Sequence, residues 1–465
     1  MATNRDNGGL VKGLGLLDST TLVMGSMIGS GIFIVAADIS RQVNSPGLLL
    51  MTWLVTAAMT LTAALSYGEL AAAMPHAGGQ YVFLREAFGP LWGFLYGWTL
   101  FLVIQTGTIA AVAVAFAKYT GIFAPRISSE NYLFGHGRFG LTTQELLAIA
   151  VVLLLSWSNT RGIRTGAVVQ NVFTFAKTAA LLGLIGFGFL VGRNAAAVRV
   201  NFTGFWRNSG WTFDSVRLVG VAMVGALFSS DAWNNVTFTA AEVRNPKRNL
   251  PLSLGLGVAL VSALYIACNL VYLNLLPLGA IQHAPEDRVA TAAAAYILGP
   301  VAVQLMAAAI MISTFGCNNG LILAGARVSY AMAKDGLFFR RAAHVDPVHH
   351  TPRFALAVQC VWTVLLILSG SYSDLLDYVI FAALLFYILT ISALFVLRRR
   401  QPDLERPYRA FGYPVLPALY IAAACVIEVL LLLYKPDYTW PGLIIVVLGL
   451  PVYFLWRGKG PARQP

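Results

Sequence analysis

The stretch GSMIGSGIF, Gly25–Phe33, places three glycines and two serines inside an apolar segment that is long enough to cross a membrane. Glycine in a helix interior costs about 1 kcal/mol relative to alanine, so Gly29 and Gly31 on either side of Ser30 favour local unwinding. Unwound backbone within the hydrocarbon leaves N–H and C=O groups that need a cavity, a protein partner or a ligand. The stretch therefore predicts a broken membrane helix beside a cavity.

The composition extends the membrane interpretation to the whole chain. Of the 465 residues, 58% are hydrophobic and 11% are charged, and the mean hydropathy is +0.71, whereas a soluble domain carries about 25% charged residues. A spanning helix needs about 20 apolar residues. Twelve such segments begin near Thr20, Pro46, Leu91, Gln144, Gly166, Val216, Leu252, Ala292, Phe354, Leu375, Leu416 and Gly442. No sizeable soluble domain fits beside them, and the first segment lacks the cleavage site of a signal peptide, so we expect it to be retained.

The lysines and arginines indicate the orientation. The net charge is +12, and cytoplasmic loops of membrane proteins are enriched in these residues. With the N-terminus inside, 20 of the 32 cationic residues fall in inside segments and 10 in outside segments, while Lys177 and Arg327 fall within helices. The sequence therefore predicts a multi-pass protein of the cell membrane with both termini in the cytoplasm. The lipid bilayer accounts for the basic charge, and no nucleic-acid partner is expected.

A second polar interruption lies five segments after the first, in LFSSDAWNN, Leu227–Asn235. Transporters commonly contain two inverted repeats whose first helices are broken at the membrane midplane, where the substrate binds. We therefore predict an all-α membrane protein with twelve transmembrane helices in a 5+5 inverted-repeat fold, with helices 1 and 6 broken and two helices appended. Residues 1–465 would form a single transporter domain, with repeats over about 20–192 and 216–397 and helices 11 and 12 over about 416–456.

The break in helix 1 is a predicted ligand site. Its second half would direct free N–H groups of Gly29, Ser30 and Gly31 and a positive dipole end at the cavity, and its first half would end in free carbonyls near Met27 and Ile28. An anion fits the N–H groups and a cation fits the carbonyls. A zwitterionic α-amino acid carries both charges close together, so it is the predicted ligand.

Helix packing is the alternative explanation of these glycines, because Gly25 and Gly29 have the spacing at which membrane helices approach closely. The second break favours the ligand site. Asp231 is an ionisable residue within a membrane segment, which is expensive and by default marks a functional site. The small residues Ser229 and Ser230 beside it indicate a pocket of modest size.

Metal and disulfide chemistry find little support. The cysteines fall singly in predicted helices, without paired spacing, at Cys268, Cys317, Cys360 and Cys425. HVDPVHH places His344, Asp346, His349 and His350 in a cytoplasmic loop, where a solvated loop is favoured over a metal site. We expect no metal, cofactor or disulfide framework.

Four motifs together resemble a known family. They are GSMIGSGIF in helix 1, PHAGGQY after helix 2, FSSDAWNN…EVRNPKRNLP through helix 6 and QPDLERP after helix 10. In order and spacing they resemble the L-type amino acid transporter branch of the amino acid, polyamine and organocation superfamily, over nearly the whole chain. The resemblance implies that Gly29, Ser30 and Gly31 bind the substrate carboxylate.

Further site residues follow from the same resemblance. Phe228 would be an aromatic gate that closes over the substrate, with lipid-facing packing as its alternative, and Trp233 and Asn234 would hold the unwound segment and the substrate. Thr108 matches a pocket-lining position, although a threonine that bonds back to its own helix is an equal alternative. The position of Asp231 is acidic both in relatives that carry basic substrates and in relatives that carry neutral ones.

Lys177 lies in the middle of helix 5 in NVFTFAKTAALL, with no carboxylate within a turn. The resemblance places this lysine where sodium-coupled relatives of the fold keep a cation, so its amine would contact the unwound backbone of helix 1 and Ser313 of helix 8. That role indicates sodium-independent exchange. Proton coupling is the second choice, since burial lowers the pKa of a lysine, and snorkelling to an interface is the structural alternative.

The predicted function is transport of amino acids by alternating access, as a sodium-independent exchanger of small or medium neutral L-amino acids. The alternatives are a proton-coupled symporter, a carrier of cationic amino acids or polyamines, and a membrane amino acid sensor or channel. An enzyme is not expected, because neither HExxH nor GxSxG occurs and the intramembrane acids are scattered. Residues 118–143 contain no cysteine, so no disulfide-linked heavy subunit is expected.

Overall fold

The computed structural model describes residues 9–135, 140–207, 209–210, 212–369 and 372–457. Both chain termini lie outside these ranges, so their predicted cytoplasmic position stays a prediction. Four cationic residues of the charge count also lie outside the described ranges, Arg5, Arg138, Lys459 and Arg463.

The described chain is mostly helical. The α-helices are α1 Leu16–Met27, α2 Gly31–Val43, α3 Pro46–Ala73, α4 Gln80–Phe88, α5 Pro90–Thr99, α6 Gln105–Thr120, α7 Thr143–Asn159, α8 Ile163–Leu190, α9 Ala195–Thr203, α10 Phe213–Ser229, α11 Asn235–Phe238, α12 Pro246–Leu275, α13 Leu278–Gln282, α14 Val289–Leu298, α15 Val301–Lys334, α16 Arg353–Leu368, α17 Tyr372–Arg400, α18 Val415–Tyr434 and α19 Pro436–Arg457. A π-helix, Leu100–Ile104, joins α5 to α6, and 3₁₀ turns cover Ala240–Glu242, Pro285–Asp287 and Arg340–Ala343. Two short strands, β1 Tyr132–Phe134 and β2 Leu141–Thr142, pair antiparallel.

The helices identify a membrane protein with many spans. Among the described residues, eight helices are long and apolar enough to cross a bilayer, the bent pair α1–α2 can supply a ninth span, and three shorter helices are also apolar. The segment predicted to begin near Ala292 is two helices rather than one. α14 ends at Leu298 and is followed by Gly299, which adopts φ +63°, because glycine readily takes a left-handed conformation. Pro300 directly precedes α15, and proline favours a helix start.

Both polar stretches interrupt the helices. α1 ends at Met27, α2 begins at Gly31, and the two helices are bent by 42°. α10 ends at Ser229 and α11 begins at Asn235, with Ala232 at φ +63° between them. A left-handed alanine costs on the order of 1–3 kcal/mol, so the surrounding structure must hold this conformation in place.

A buried ion pair ties the second interruption to α15. Arg327, on α15, donates from Nε and Nη2 to the two carboxylate oxygens of Glu242 at 2.8 and 3.0 Å, and both side chains are almost fully buried. The carbonyl of Glu242 also accepts hydrogen bonds from the N–H groups of Gly13 and Leu14, just before α1. The start of α1, the 3₁₀ turn after α11 and α15 are therefore held at one point.

A second buried acid, Glu69, joins another part of the helix array. Glu69, near the end of α3, accepts hydrogen bonds from Arg398 at 2.9 and 2.6 Å and from the N–H of Ala410 at 2.7 Å. The carboxylate therefore joins α3 to the end of α17 and to the loop that follows it.

Replacing Glu242 with glutamine should destabilise the protein by about 3 kcal/mol, because Arg327 would keep its charge in a buried position without a counter-charge. The free energy of unfolding in mixed detergent micelles measures this change. The matched control is Glu405→Gln, whose partner Lys247 lies at 2.6 Å in a largely exposed pair, and its expected effect is under about 1 kcal/mol. Equal losses for both variants would contradict a special role of the buried pair.

Candidate functional site

The carbonyls at the end of α1 are capped by side chains from three other helices. The hydroxyl of Tyr265, on α12, lies 3.1 Å from the Met27 carbonyl and also 3.1 Å from the Ser229 carbonyl. Cys317, on α15, donates from Sγ to the Ser26 carbonyl at 3.1 Å. Tyr265 therefore contacts both helix interruptions through a single hydroxyl group.

Lys177 supplies the positive charge at this end. Its side chain is fully buried on α8, and Nζ lies 2.6 Å from the Gly25 carbonyl, 2.7 Å from the Ile28 carbonyl and 3.4 Å from the Ser313 carbonyl. The Ser313 hydroxyl lies 3.0 Å from the carbonyls of both Ile28 and Gly29. Within the described ranges no carboxylate forms an ion pair with Lys177, so backbone carbonyls are its partners. The structure thus brings Lys177 and Ser313 together at the break.

The N–H groups on the other side of the break differ from the carbonyls. Among the described residues, the backbone N–H groups of Gly29, Ser30 and Gly31 make no hydrogen bond. At the start of α2, the N–H of Phe33 donates to the Ser30 carbonyl at 3.1 Å. The three unbonded N–H groups lie at the N-terminus of a 13-residue helix, where free N–H groups and the helix dipole favour an anion. The break therefore has a cationic side chain on its carbonyl side and, on its other side, N–H groups that have no acceptor among the described residues and that favour an anion.

Gly31 is in close contact with the second interruption. A Cβ atom at Gly31 would collide with Oγ of Ser229 and lie 3.1 Å from its Cα. Ser229 is the last residue of α10, and its hydroxyl donates to the Gly225 carbonyl at 2.9 Å. The absence of a side chain at Gly31 therefore allows α2 and α10 to approach closely at the site.

Asp231 lies in the second interruption and has a protein partner. Tyr387, on α17, donates from its hydroxyl to Oδ1 of Asp231 at 2.5 Å. The buried ring of Trp233 lies edge-on to Tyr67 at 4.7 Å and tilted to Tyr387 at 5.3 Å between ring centroids. Phe228 is partly exposed in the last turn of α10. Aromatic packing thus holds the second interruption around its acidic residue.

Asn234 connects the second interruption to two further helices. Its Nδ2 donates to Oε1 of Gln80, on α4, at 2.9 Å, and Nε2 of Gln80 donates to the Phe386 carbonyl, on α17, at 3.1 Å. Asn234 therefore positions the unwound backbone through Gln80.

Thr108 bonds to its own helix and also faces a cavity. Its Oγ1 donates to the Ile104 carbonyl at 2.6 Å, and Thr108 lines a small polar cavity together with Tyr96, Gln105 and Asp231. A second small cavity, lined by Thr60 and Ser230, lies on the other side of the Asp231–Tyr387 pair. Both alternatives for Thr108 therefore describe part of its geometry.

Comparison with known proteins gives these features a family. The amino acid permease family matches residues 14–453. The serine/threonine exchanger SteT of Bacillus subtilis is 31% identical over 97% of this chain and 98% of its own. The large neutral amino acids transporter small subunit 2 of mouse is 30% identical, and the Asc-type amino acid transporter 1 of human is 29% identical, over 97% of this chain and 82% and 84% of their own.

The chain belongs to the amino acid permease family. The resemblance inferred from the four motifs is confirmed, and the family and these relatives are transporters rather than enzymes. The permease is a multi-pass membrane protein, as its composition indicated.

In the loop HVDPVHH of the permease, the carboxylate of Asp346 bonds to neighbouring residues of the chain. Oδ1 of Asp346 accepts hydrogen bonds from the N–H groups of His349 at 2.7 Å and Val348 at 3.2 Å, and Arg353 lies 2.9 Å from Oδ2. The backbone bond from His349 is the main cause that lowers the pKa of Asp346. In the described ranges no three His, Cys, Asp or Glu residues are grouped so that they could hold a metal ion.

Sequence reasoning missed several residues of the permease site. Gln80 stands inside the PHAGGQY motif, and its polar side chain in an apolar region was an available signal. Tyr265 and Tyr387 lie in long apolar helices, where a tyrosine is common, so only the fold shows that their hydroxyl groups meet the two interruptions.

Gly31→Ala should weaken binding of a neutral amino acid by roughly tenfold, because the added methyl group collides with Ser229 and overpacking costs about 1–3 kcal/mol. Titration calorimetry on the purified protein measures the affinity. Gly29→Ala is the matched control, since its Cβ would lie 3.5 Å from Sγ of Cys317, an ordinary contact. Tighter or unchanged binding in Gly31→Ala would argue against close approach of α2 and α10 as a requirement of the site.

Proposed function

We propose that this permease is a sodium-independent exchanger of small or medium neutral L-amino acids that works by alternating access. One observation carries the proposal. The interruption between α1 and α2 has its carbonyls bonded to a buried lysine, while the N–H groups of Gly29, Ser30 and Gly31 lack partners among the described residues. A carboxylate is the group that these three donors fit.

The proposed substrate lies between the two interruptions. Its carboxylate binds the free N–H groups at the start of α2. The Ile28 carbonyl already accepts bonds from Lys177 and Ser313, so the substrate ammonium is assigned to the side of Met27 and the end of α10. Phe228 closes over the substrate from α10.

The size and charge of the pocket support neutral substrates. The short side chains of Ser229 and Ser230 suit small or medium substrates, and Tyr387 engages one carboxylate oxygen of Asp231. Asp231 is then a polar wall of the pocket rather than a counter-ion for a basic side chain. The name of the B. subtilis relative, a serine/threonine exchanger, supports the same substrate class.

Sodium independence follows from the position of Lys177 in this proposal. A sodium ion at a broken helix is coordinated by carbonyl oxygens, and here the Lys177 amine and the Ser313 hydroxyl take the carbonyls of Gly25, Ile28 and Gly29. A tethered charge does the work of a bound ion. Since the charge of Lys177 is covalently attached to the protein and cannot leave the site, a sodium gradient cannot be coupled to transport at this position.

The membrane arrangement is part of the proposal. Each interrupted pair, α1–α2 and α10–α11, and each of the shorter helices α7 and α16 is assigned to one span, and α14 is not counted as a span. With the eight long spans this gives twelve, arranged as two inverted repeats and two further helices. Both termini are assigned to the cytoplasm and the protein to the cell membrane. The segment between α6 and α7 has no cysteine, so the permease is proposed to act without a disulfide-linked heavy subunit.

Proteoliposomes test the exchange. Labelled L-serine should enter vesicles at least tenfold faster when unlabelled L-serine is inside, because only a loaded carrier returns, and replacing sodium by potassium should leave the rate unchanged. Equal entry into empty vesicles would indicate a channel, and no flux at all would indicate a sensor. Entry into empty vesicles that requires an inward proton gradient would instead support proton coupling.

Lys177→Ala should lower this exchange at least tenfold while the amount of protein in the membrane stays the same. The variant removes the buried cation and leaves the Gly25 carbonyl without its donor, while Ser313 still bonds to the Ile28 carbonyl; an unsatisfied group in a membrane interior costs several kcal/mol. Lys118→Ala is the control, since Lys118 forms an exposed ion pair with Glu286 at 3.3 Å. Wild-type kinetics in Lys177→Ala would remove the lysine from the mechanism.

A further inference from the structure

An apolar groove lies between α5, the chain after α15, and α16, away from both helix interruptions. Its volume is about 520 Å³, within the ~300–1,000 Å³ range of small-molecule sites. Most of its wall is aromatic, with contributions from Phe94, Trp98, Phe101, Phe338, Trp362 and Trp456. None of these residues contacts the proposed amino acid site.

The wall of the groove offers hydrocarbon surface rather than polar partners. The indole N–H of Trp98 donates to the Ile445 carbonyl at 3.0 Å, and that of Trp362 donates to the Leu102 carbonyl at 3.0 Å. Both groups are therefore satisfied within the protein. A molecule that fills the groove needs an apolar body.

Cationic residues follow the groove wall directly along the chain. α15 ends at Lys334. The groove is lined by three residues that follow this helix, Leu337, Phe338 and Phe339. Arg340 and Arg341 come directly after them in a 3₁₀ turn. Arg341 is exposed and forms no ion pair among the described residues. The exposed Arg341 therefore lies two residues along the chain from the groove wall at Phe339.

The nearby acids do not cancel this charge. Asp335 pairs with Arg85 and accepts a hydrogen bond from Tyr81 at 2.6 Å. Asp346 pairs with Arg353 at 2.9 Å. Since both carboxylates have their own partners, neither of them neutralises the charge of Arg341.

We propose that this groove binds an anionic phospholipid from the leaflet at which α15 ends. An acyl chain occupies the aromatic groove, and the headgroup phosphate pairs with Arg341. Basic residues beside a groove between membrane helices are typical of sites for anionic headgroups, whereas a zwitterionic lipid would gain little from the arginine. This site is independent of the proposed exchange, so either can fail without the other.

Native mass spectrometry of the full-length purified protein tests the proposal, with phosphatidylglycerol and phosphatidylcholine of matched acyl chains as probes. The wild type should retain one phosphatidylglycerol with at least tenfold higher affinity than phosphatidylcholine. Arg341→Gln should lower the affinity for phosphatidylglycerol about tenfold, to that for phosphatidylcholine. Ala357→Trp should weaken both lipids, because Ala357 is exposed on the groove wall and an indole there fills the space.

Two matched variants control for general surface effects. Arg399→Gln removes an exposed cation at the end of α17, and Ala418→Trp adds an indole on an exposed part of α18, outside the groove; both should bind lipid as the wild type does. Val361→Phe, on the same groove wall, replaces Ala357→Trp if that variant melts at a lower temperature. Equal binding of both lipids by the wild type, or undiminished phosphatidylglycerol binding when the groove is filled, would overturn the proposal.

Discussion

Backbone hydrogen bonding in a membrane is the constraint on which this structure depends. Residues 28–30 leave the helical ladder between α1 and α2, and the hydrocarbon provides no water to replace the lost bonds. The protein supplies hydrogen-bond partners on the carbonyl side of the break only, among the described residues. Lys177 and Ser313 bond to the carbonyls at the break, whereas the described residues supply no acceptor for the N–H groups of Gly29, Ser30 and Gly31. The resulting asymmetry of charge is the basis for the proposal that the break binds an anionic group.

Contacts at the break also join α1 to α10. Tyr265 lies within hydrogen-bond distance of the Met27 and Ser229 carbonyls, so the ends of α1 and α10 share one hydroxyl group. In the 3₁₀ turn that follows α11, Glu242 bonds through its backbone to Gly13 and through its carboxylate to Arg327. A change in position of α1 must therefore be accompanied by a change at α10 or by the loss of these bonds. The two interruptions are mechanically linked without being adjacent in the sequence.

The sequence predicted the parts of the site that have a local signal. Glycines around Ser30 and polar residues around Asp231 mark both interruptions, and Lys177 is conspicuous in an apolar helix. Residues whose role depends on three-dimensional approach could not be found in this way. Tyr265 and Tyr387 are ordinary tyrosines of apolar helices until the fold brings α12 and α17 to the interruptions. The division of α14 from α15 was missed because Gly299 and Pro300 lie within a continuous apolar run, where hydropathy outweighs two turn-forming residues.

The proposed exchange has a physical basis in the same asymmetry. In an occluded carrier without substrate, three N–H groups would be enclosed with no acceptor among the described residues, and each unsatisfied group in a water-free site costs several kcal/mol. A substrate carboxylate removes that cost. In the proposed mechanism the loaded carrier therefore crosses the occluded state with a lower barrier than the empty one, and Lys177 is proposed to keep its bonds to the Gly25 and Ile28 carbonyls in both. A carrier with a tethered cation and a missing anion favours movement with substrate in both directions, which is exchange.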